Sequence, residues 1–198
     1  MSISQAPIPT FTWKQKCKLL VMGISTWNIP TYTTGNELLR LYSLARSLKS
    51  NSVALEIGSY IGASSLMIGK GLKGGSRLIC VDTWQNDAMT EGNWDSYKVF
   101  QRNTLSVKDK VESMRMTSAE AGKIYNGELD FLFIDGDHSY NGVKLDVDIW
   151  FPKLKSGGVI VMHDIEWADG VKMVVAEDVR PFLTREGSLP NLFWGWKR

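Results

Sequence analysis

The run Val53-Ala54-Leu55-Glu56-Ile57-Gly58-Ser59-Tyr60-Ile61-Gly62-Ala63-Ser64-Ser65 passes from a short apolar strand, through a turn bracketed by glycines, into a helix of small residues over 63–71. Glycines at such a turn let backbone come close to a ligand where a Cβ would collide, and the helix start aims N–H groups into the same space. Working outward, apolar runs predict further strands at 77–81, 111–116, 129–134, 159–162 and 191–196. Leu38, Leu39, Leu41, Tyr42, Leu44, Ala45 and Leu48 recur at helical spacing over 36–49, with Asn36 as the expected cap. Further helices are expected over 94–106, 119–125, 143–151 and 170–179, and a short one over 13–22. Strands alternating with helices in this way predict an α/β domain: a single, doubly wound, mostly parallel sheet of Rossmann-like type, with residues 1–35 as a small N-terminal helical cap and 36–198 as the core.

Composition narrows the function classes. The chain has 198 residues, 43% of them hydrophobic, which suits one globular domain and excludes collagen-like or disordered readings. Its 23 basic and 21 acidic residues leave a charge of +2, too balanced to point to nucleic acid or a membrane surface. The apolar stretch at 19–24 is too short for a signal peptide or a membrane span. Cys17 and Cys80 form no metal or disulfide pattern, and this suits a reducing, cytoplasmic setting.

Ligands of such sheets lie beyond the carboxyl ends of the strands, so the segments that matter are 56–62, 82–85, 116–120, 135–140 and 163–167. A pyrophosphate cradle would want G-x-G-x-x-G, but Tyr60 stands two after Gly58, and no G-x-x-x-x-G-K-[ST] run exists. The second strand nevertheless ends in Asp82, where a carboxylate can accept both hydroxyls of a ribose. A glycine turn with a ribose acid and no phosphate cradle points to a nucleoside carrying something other than pyrophosphate.

Leu55 to Ser65 resembles the S-adenosylmethionine loop of catechol-type O-methyltransferases. Phe133-Ile134-Asp135-Gly136-Asp137-His138-Ser139-Tyr140, followed by Pro152 to Asp164, resembles the fourth and fifth strand segments of small bacterial methyltransferases, including enzymes that methylate antibiotics and sugars. The resemblance covers about residues 36–165. It implies a seven-stranded sheet, for which the chain after Asp164 offers one clear further helix and strand. It also implies that Gly58, Ser59 and Tyr60 lie beside the methionine moiety, Ser64 at its carboxylate, Asp82 at the ribose, Thr83 and Trp84 flanking the adenine, and Ser118 with Ala119 over its edge. Asp135 would face the methyl end, and Glu56 would support the loop by hydrogen bonding to backbone.

An acceptor alcohol must lose a proton on methylation, and holding a phenolate at pH 7 costs about 4 kcal/mol. A divalent cation can supply that stabilisation. The resemblance places Asp135, His163 and Asp164 as candidate ligands, for Mg²⁺ or Mn²⁺; imidazole at position 163 departs from the acidic or amide pair of metal-dependent relatives, which leaves His163 as a ligand for a softer ion than Mg²⁺, a base, or only a hydrogen-bonding neighbour. His138 is the candidate base and Asp137 its competitor. Several tryptophans (Trp13, Trp27, Trp84, Trp94, Trp167, Trp194, Trp196) can wall an acceptor or simply pack, and the segment before Asn36 and the loop 87–94 are expected as lids.

The reading is therefore an S-adenosylmethionine-dependent O-methyltransferase acting on a hydroxyl of a small molecule, a sugar, phenol or natural product, with divalent metal assistance. No nucleic acid or membrane partner is expected, and a homodimer stays open. The rival readings are an N-methyltransferase, a nucleotide-dependent oxidoreductase, whose glycine fingerprint is missing, and a non-catalytic nucleoside-binding protein. A base-modifying nucleic-acid methyltransferase would want adjacent prolines in its loop, and no two prolines here are adjacent.

Overall fold

The computed structural model describes residues 6–85 and 94–198. Its strands are β1 (Val53–Ile57), β2 (Arg77–Asp82), β3 (Val111–Arg115), β4 (Leu129–Ile134), β5 (Leu154–His163), β6 (Leu183–Leu189) and β7 (Leu192–Lys197). The α-helices are α1 (Trp13–Val21), α2 (Gly35–Ser47), α3 (Ala63–Gly71), α4 (Tyr97–Asn103), α5 (Ser118–Ile124), α6 (Tyr140–Trp150) and α7 (Asp169–Val174). The strands form one seven-stranded sheet in the order β3-β2-β1-β4-β5-β7-β6. The first five are parallel, and β7 pairs antiparallel with both β5 and β6.

Side-chain alternation explains why helices cover both faces. Leu55, Ile57, Ile79, Val81, Leu132, Ile134, Ile160 and Met162 bury one face against residues of α5, α6 and α7, such as Ala121, Val147, Trp150 and Val174. Their neighbours Ala54, Leu78, Cys80, Phe131, Phe133, Val159 and Val161 bury the other face against Leu41, Leu44, Ile68 and Phe100 of α2, α3 and α4. Parallel strands buried on both faces need this near-continuous apolar sequence. From β1 the chain winds outward to β2 and β3, then returns to β4 on the other side of β1. The β1–β4 boundary is thus the switch point at which open α/β sheets bind ligands.

The N-terminal segment joins the domain through Leu19, Ile24 and Ile29, which pack with Leu38, Leu39, Ile61, Leu66 and Met67. Among the described residues no helix is long and apolar enough to cross a membrane. Both cysteines are free, with Cys80 in the core.

Three expectations need correction. Helix α2 begins at Gly35, and its cap is Thr34 in place of Asn36: the Thr34 side chain accepts from Glu37 N while the Glu37 carboxylate accepts from Thr34 N at 2.7 Å. The helix expected over 94–106 is the shorter α4, followed by a separate 3₁₀ turn, Leu105–Lys110; most of the expected lid loop, 87–94, lies outside the described residues. The chain after Asp164 supplies two strands where one was expected, because β6, Leu-Thr-Arg-Glu-Gly-Ser-Leu, is a mostly exposed edge strand with no apolar run to mark it. Replacing Thr34 by Ala should lower stability by about 1 kcal/mol, whereas Asn36→Ala should cost no more than about 0.5 kcal/mol. Urea unfolding midpoints of the two variants check this, and equal losses would restore Asn36 as the cap.

Candidate active site

At the end of β1 the backbone turns through Gly58 at φ +80°, and a Cβ there would lie 2.0 Å from the carbonyl oxygen of Asp135. Only glycine therefore permits the β1 turn to lie against the end of β4. Asp82, ending β2, ties the turn down: its Oδ2 accepts from Ser59 N and Tyr60 N, both at 2.8 Å, and its Oδ1 accepts from Trp84 N at 2.6 Å. Beneath the turn lies fully buried Glu56. It accepts from Ser59 Oγ at 2.8 Å, from the Ser65 hydroxyl and from Cys80 Sγ at 3.5 Å. The support expected from Glu56 is present, but it runs to side-chain hydroxyls where backbone amides were expected. Burial pushes the Glu56 carboxyl up to about 7, with the hydroxyls of Ser64, Ser65 and Ser59 opposing.

Tyr60 (φ 43°), Trp84 (φ 52°) and Asp164 (φ 65°) all hold left-handed backbone, a cost for L residues. All three follow strand ends at the same edge of the sheet, where functional sites concentrate strain. Below that edge lies a cavity of about 890 Å³, within the range of small-molecule sites. Its lining includes Gly58, Ser59, Tyr60, Ser64, Asp82, Thr83, Ser118, Ala119, Asp135, Asp137, His138, His163 and Asp164. The turn expected to hold a cofactor and the acids and imidazoles expected to do chemistry thus share one space. Of the expected site residues, Glu56 and Trp84 stay outside the lining. The Trp84 ring is fully buried, donates from Nε1 to Tyr60 O at 2.9 Å and packs on Tyr97 and Phe100; it supports the turn from behind and does not flank a ligand.

At the β4–β5 end the charged groups converge. His138 Nε2 lies 2.8 Å from Asp164 Oδ2. His163, with 3% of its side chain exposed, places Nδ1 3.2 Å from Asp135 Oδ1 and 3.1 Å from Asp164 Oδ1, and Nε2 3.5 Å from Glu37 Oε2. Trp167 Nε1 and Asn191 Nδ2 also donate to Asp164 Oδ1, at 2.8 and 3.0 Å. The Asp164 hydrogen bond raises the His138 imidazole above the usual histidine range, against its partial burial. Burial opposes charge on His163, but the Asp135 charge and the contacts with Asp135 and Asp164, with the Glu37 carboxylate nearby, outweigh it and raise the imidazole well above the usual histidine range. Asp164 is in turn held well below the usual carboxylate range: its burial is overcome by the two histidines and Asn191. Asp135, dominated by burial, is raised.

Asp137 is placed differently from its expected rival. Its Oδ1 accepts from Ser139 N at 2.7 Å and its carboxylate packs over Gly142, so it shapes the entry to α6. Among the described residues, Asp135, His138 and Asp164 can each offer a metal-ligand atom within 4.8 Å of the other two. His163 sits behind the two carboxylates. Sequence reasoning missed Glu37, although Thr34-Gly35-Asn36-Glu37 carries the capping-box signal, and it missed Asp146, whose position on α6 carries no motif, whereas Met116 opens the expected segment 116–120.

Residues 55–165 match the family model described as a methyltransferase domain, over more than half of the chain. The chain belongs to that family. Solved structures of methyltransferases share its fold. The cofactor-bound Rv0187 protein from MTB superposes with a TM-score of 0.66 at 16% identity, covering 93% of this chain and 90% of the other. An O-methyltransferase from Bacillus cereus in complex with SAH gives 0.61 at 16% identity, covering 95% and 92%. The uncharacterized protein y4gI of Sinorhizobium fredii is 32% identical over 154 residues, 71% of this chain; the chain spans only 17% of that relative's length. In this methyltransferase domain the model match ends at residue 165, just past the acid–imidazole cluster.

The Glu56 shift has a measurable sign. Its folded carboxyl binds a proton up to about pH 7 while the unfolded one releases it near 4.5, so this group takes stability away as pH rises through that window, on the order of 3 kcal/mol. Glu56→Gln should flatten the decline in stability between pH 5 and 7.5 relative to wild type. Parallel stability–pH curves for the two proteins would contradict a buried, proton-holding Glu56.

Proposed function

We propose that this chain transfers the methyl group of S-adenosylmethionine to a hydroxyl oxygen of a small molecule. The observation that supports this reading is the single cavity that joins the Gly58 turn to the His138–Asp164 pair. The cavity fits a nucleoside donor: Gly58, Ser59 and Tyr60 would take its methionine portion with Ser64 at the carboxylate, Asp82 its ribose, and Thr83, Ser118 and Ala119 its base. Asp82 then has two duties, fastening the turn through amides and facing the sugar. The donor's sulfonium carbon would be directed to the β4–β5 end, where the acceptor oxygen lies.

His138 acts there as the proton acceptor. In the neutral imidazole the proton shared with Asp164 sits on Nε2, which leaves Nδ1 as the accepting atom. The acceptor O–H proton passes to Nδ1 as the oxygen bonds to the methyl carbon and the carbon–sulfur bond breaks, giving a methyl ether and S-adenosylhomocysteine. Asp164 holds the ring in place and stabilises the imidazolium that forms. A divalent cation fits the same corner by its donor set: the carboxylates of Asp135 and Asp164 would hold Mg²⁺ or Mn²⁺ and the ion would supply positive charge that lowers the acceptor's pKa. His163, nearly buried beside those carboxylates, positions them. Trp167, 59% exposed yet fixed by its bond to Asp164 and edge-on to His138, and Tyr32, 51% exposed, offer ring faces to the acceptor. Residues 31–33 bring the N-terminal segment to the cavity as its cap.

Release of S-adenosylhomocysteine from S-adenosylmethionine in the presence of a panel of phenols and sugar glycosides tests the reaction class; folded protein that binds neither compound contradicts it. Asp82→Ala should weaken S-adenosylhomocysteine binding by about 1–3 kcal/mol in calorimetry, and unchanged affinity would remove Asp82 from the site. His138→Ala should lower turnover about 10²–10⁴-fold with little effect on that binding. Dialysis against EDTA should reduce turnover, and Mn²⁺ or Mg²⁺ should restore it; chelator-insensitive turnover would leave His138 to act without a cation.

A further inference from the structure

Helix α1 has two apolar faces, and the domain uses one of them. Leu19 is buried and packs in one cluster with Leu38, Ile61, Leu66 and Met67. On the other side Trp13, Leu20 and Val21 stand 77%, 57% and 89% exposed. With half-buried Cys17 they form one ridge along the whole helix, because positions 13, 17, 20 and 21 repeat at the spacing of a single helical face. Single exposed apolar residues are ordinary, whereas a contiguous exposed ridge marks a surface that something covers.

The same helix is basic. Lys14 and Lys18 border the ridge on one side and Lys16 on the other; all three are exposed, and residues 1–36 contain no aspartate or glutamate. Among the described residues none of these lysines pairs with a carboxylate. Past the helix the sign continues. A Cβ at Gly23 would lie 3.9 Å from Lys70 Nζ, and the Lys110 ammonium, lowered first by burial, is lowered further by the charges of Lys70 and Arg46. The net charge of +2, summed over the chain, argues against a membrane partner only because it averages this segregation away.

An aromatic and aliphatic ridge bordered by lysines suits the level between headgroups and acyl chains of an anionic bilayer. The apolar side chains enter, and the lysine stems lie along them while their ammonium groups stay among the lipid phosphates and carboxylates. A second copy of the chain suits it less, since facing ridges would set the lysines of both copies together with no acid on the helix to offset them. We infer that α1 is a docking surface for an anionic lipid bilayer, seated through Trp13, Leu20 and Val21 and attracted through Lys14, Lys16 and Lys18. No residue of α1 lines the cavity, so the inference is independent of the donor reading.

Co-sedimentation of the chain with sucrose-loaded vesicles tests it. Vesicles of phosphatidylcholine with about 30% phosphatidylserine should bind wild type at least about 10-fold more strongly than vesicles of phosphatidylcholine alone, and raising NaCl from about 0.1 to about 0.5 M should weaken that binding several-fold. Trp13→Ser combined with Val21→Ser should lower binding at least about 10-fold. Lys14→Gln, Lys16→Gln and Lys18→Gln together should abolish the preference for phosphatidylserine. Both variants should keep the wild-type unfolding temperature, because these positions are exposed. Wild type that stays in the supernatant with phosphatidylserine vesicles overturns the inference, as does binding that both variants retain. A concentration-dependent dimer that Trp13→Ser with Val21→Ser dissolves would assign the ridge to a second copy and overturn it too. Should a variant not fold, wild type alone decides: equal binding to the two vesicle types overturns the inference and a 10-fold preference upholds it.

Discussion

The Asp135 carbonyl and the Cα of Gly58 occupy adjoining space with no room for a side chain between them. That close approach is the constraint on which the rest of the architecture depends. It brings the end of β1 against the end of β4 at the point where the winding direction of the sheet reverses, and so makes one cavity from two halves carried by different parts of the sequence. Asp82 completes the junction from the other side by holding two consecutive amides of the turn with one oxygen. Glycine is needed there for its φ and for its lack of a Cβ at once, so no compensating change elsewhere would admit a larger residue.

The second half of the cavity stores electrostatic free energy. Three carboxylates, Glu37, Asp135 and Asp164, surround a nearly buried His163, with His138 outside them. Desolvating such groups is costly, and their mutual hydrogen bonds offset the cost only while every partner stays in place. The His163 imidazole, raised above its usual range, and the Asp164 carboxyl, lowered below its own, favour each other's charged forms beside His138. Glu37 reaches this network from the first turn of α2, where the same carboxylate also closes the Thr34 cap. Helix start and acid–imidazole cluster share one residue, which ties α2 to the cavity.

The fold was legible because its decisive signals are local. Apolar runs in β1, β2, β4 and β5, and the glycine turn after Ile57, depend on neighbours a few residues apart, and each of these four strands appears at or near its expected place. Most expected site residues line the cavity for the same reason: they follow strand ends, and parallel strands put their ends on one rim. What stayed hidden depends on tertiary placement. Trp84 looks like a loop aromatic until Tyr97 and Phe100 close over it. Asp146 reads as an ordinary helix carboxylate, and only the seating of α6 beside Ser118 brings it to the cavity. Strand β6 has an exposed, polar sequence because it lies at the sheet edge, and it acquires its strand geometry by pairing with β7.

A crystal structure of the chain with S-adenosylhomocysteine bound tests the central claim most directly. The account predicts the sulfur beside the Gly58 turn with its former methyl position directed to His138 and Asp135, and the purine beside Thr83, Ser118 and Ala119. Density for the compound with its sulfur directed away from the acid–imidazole cluster, or seated outside the cavity, would contradict it.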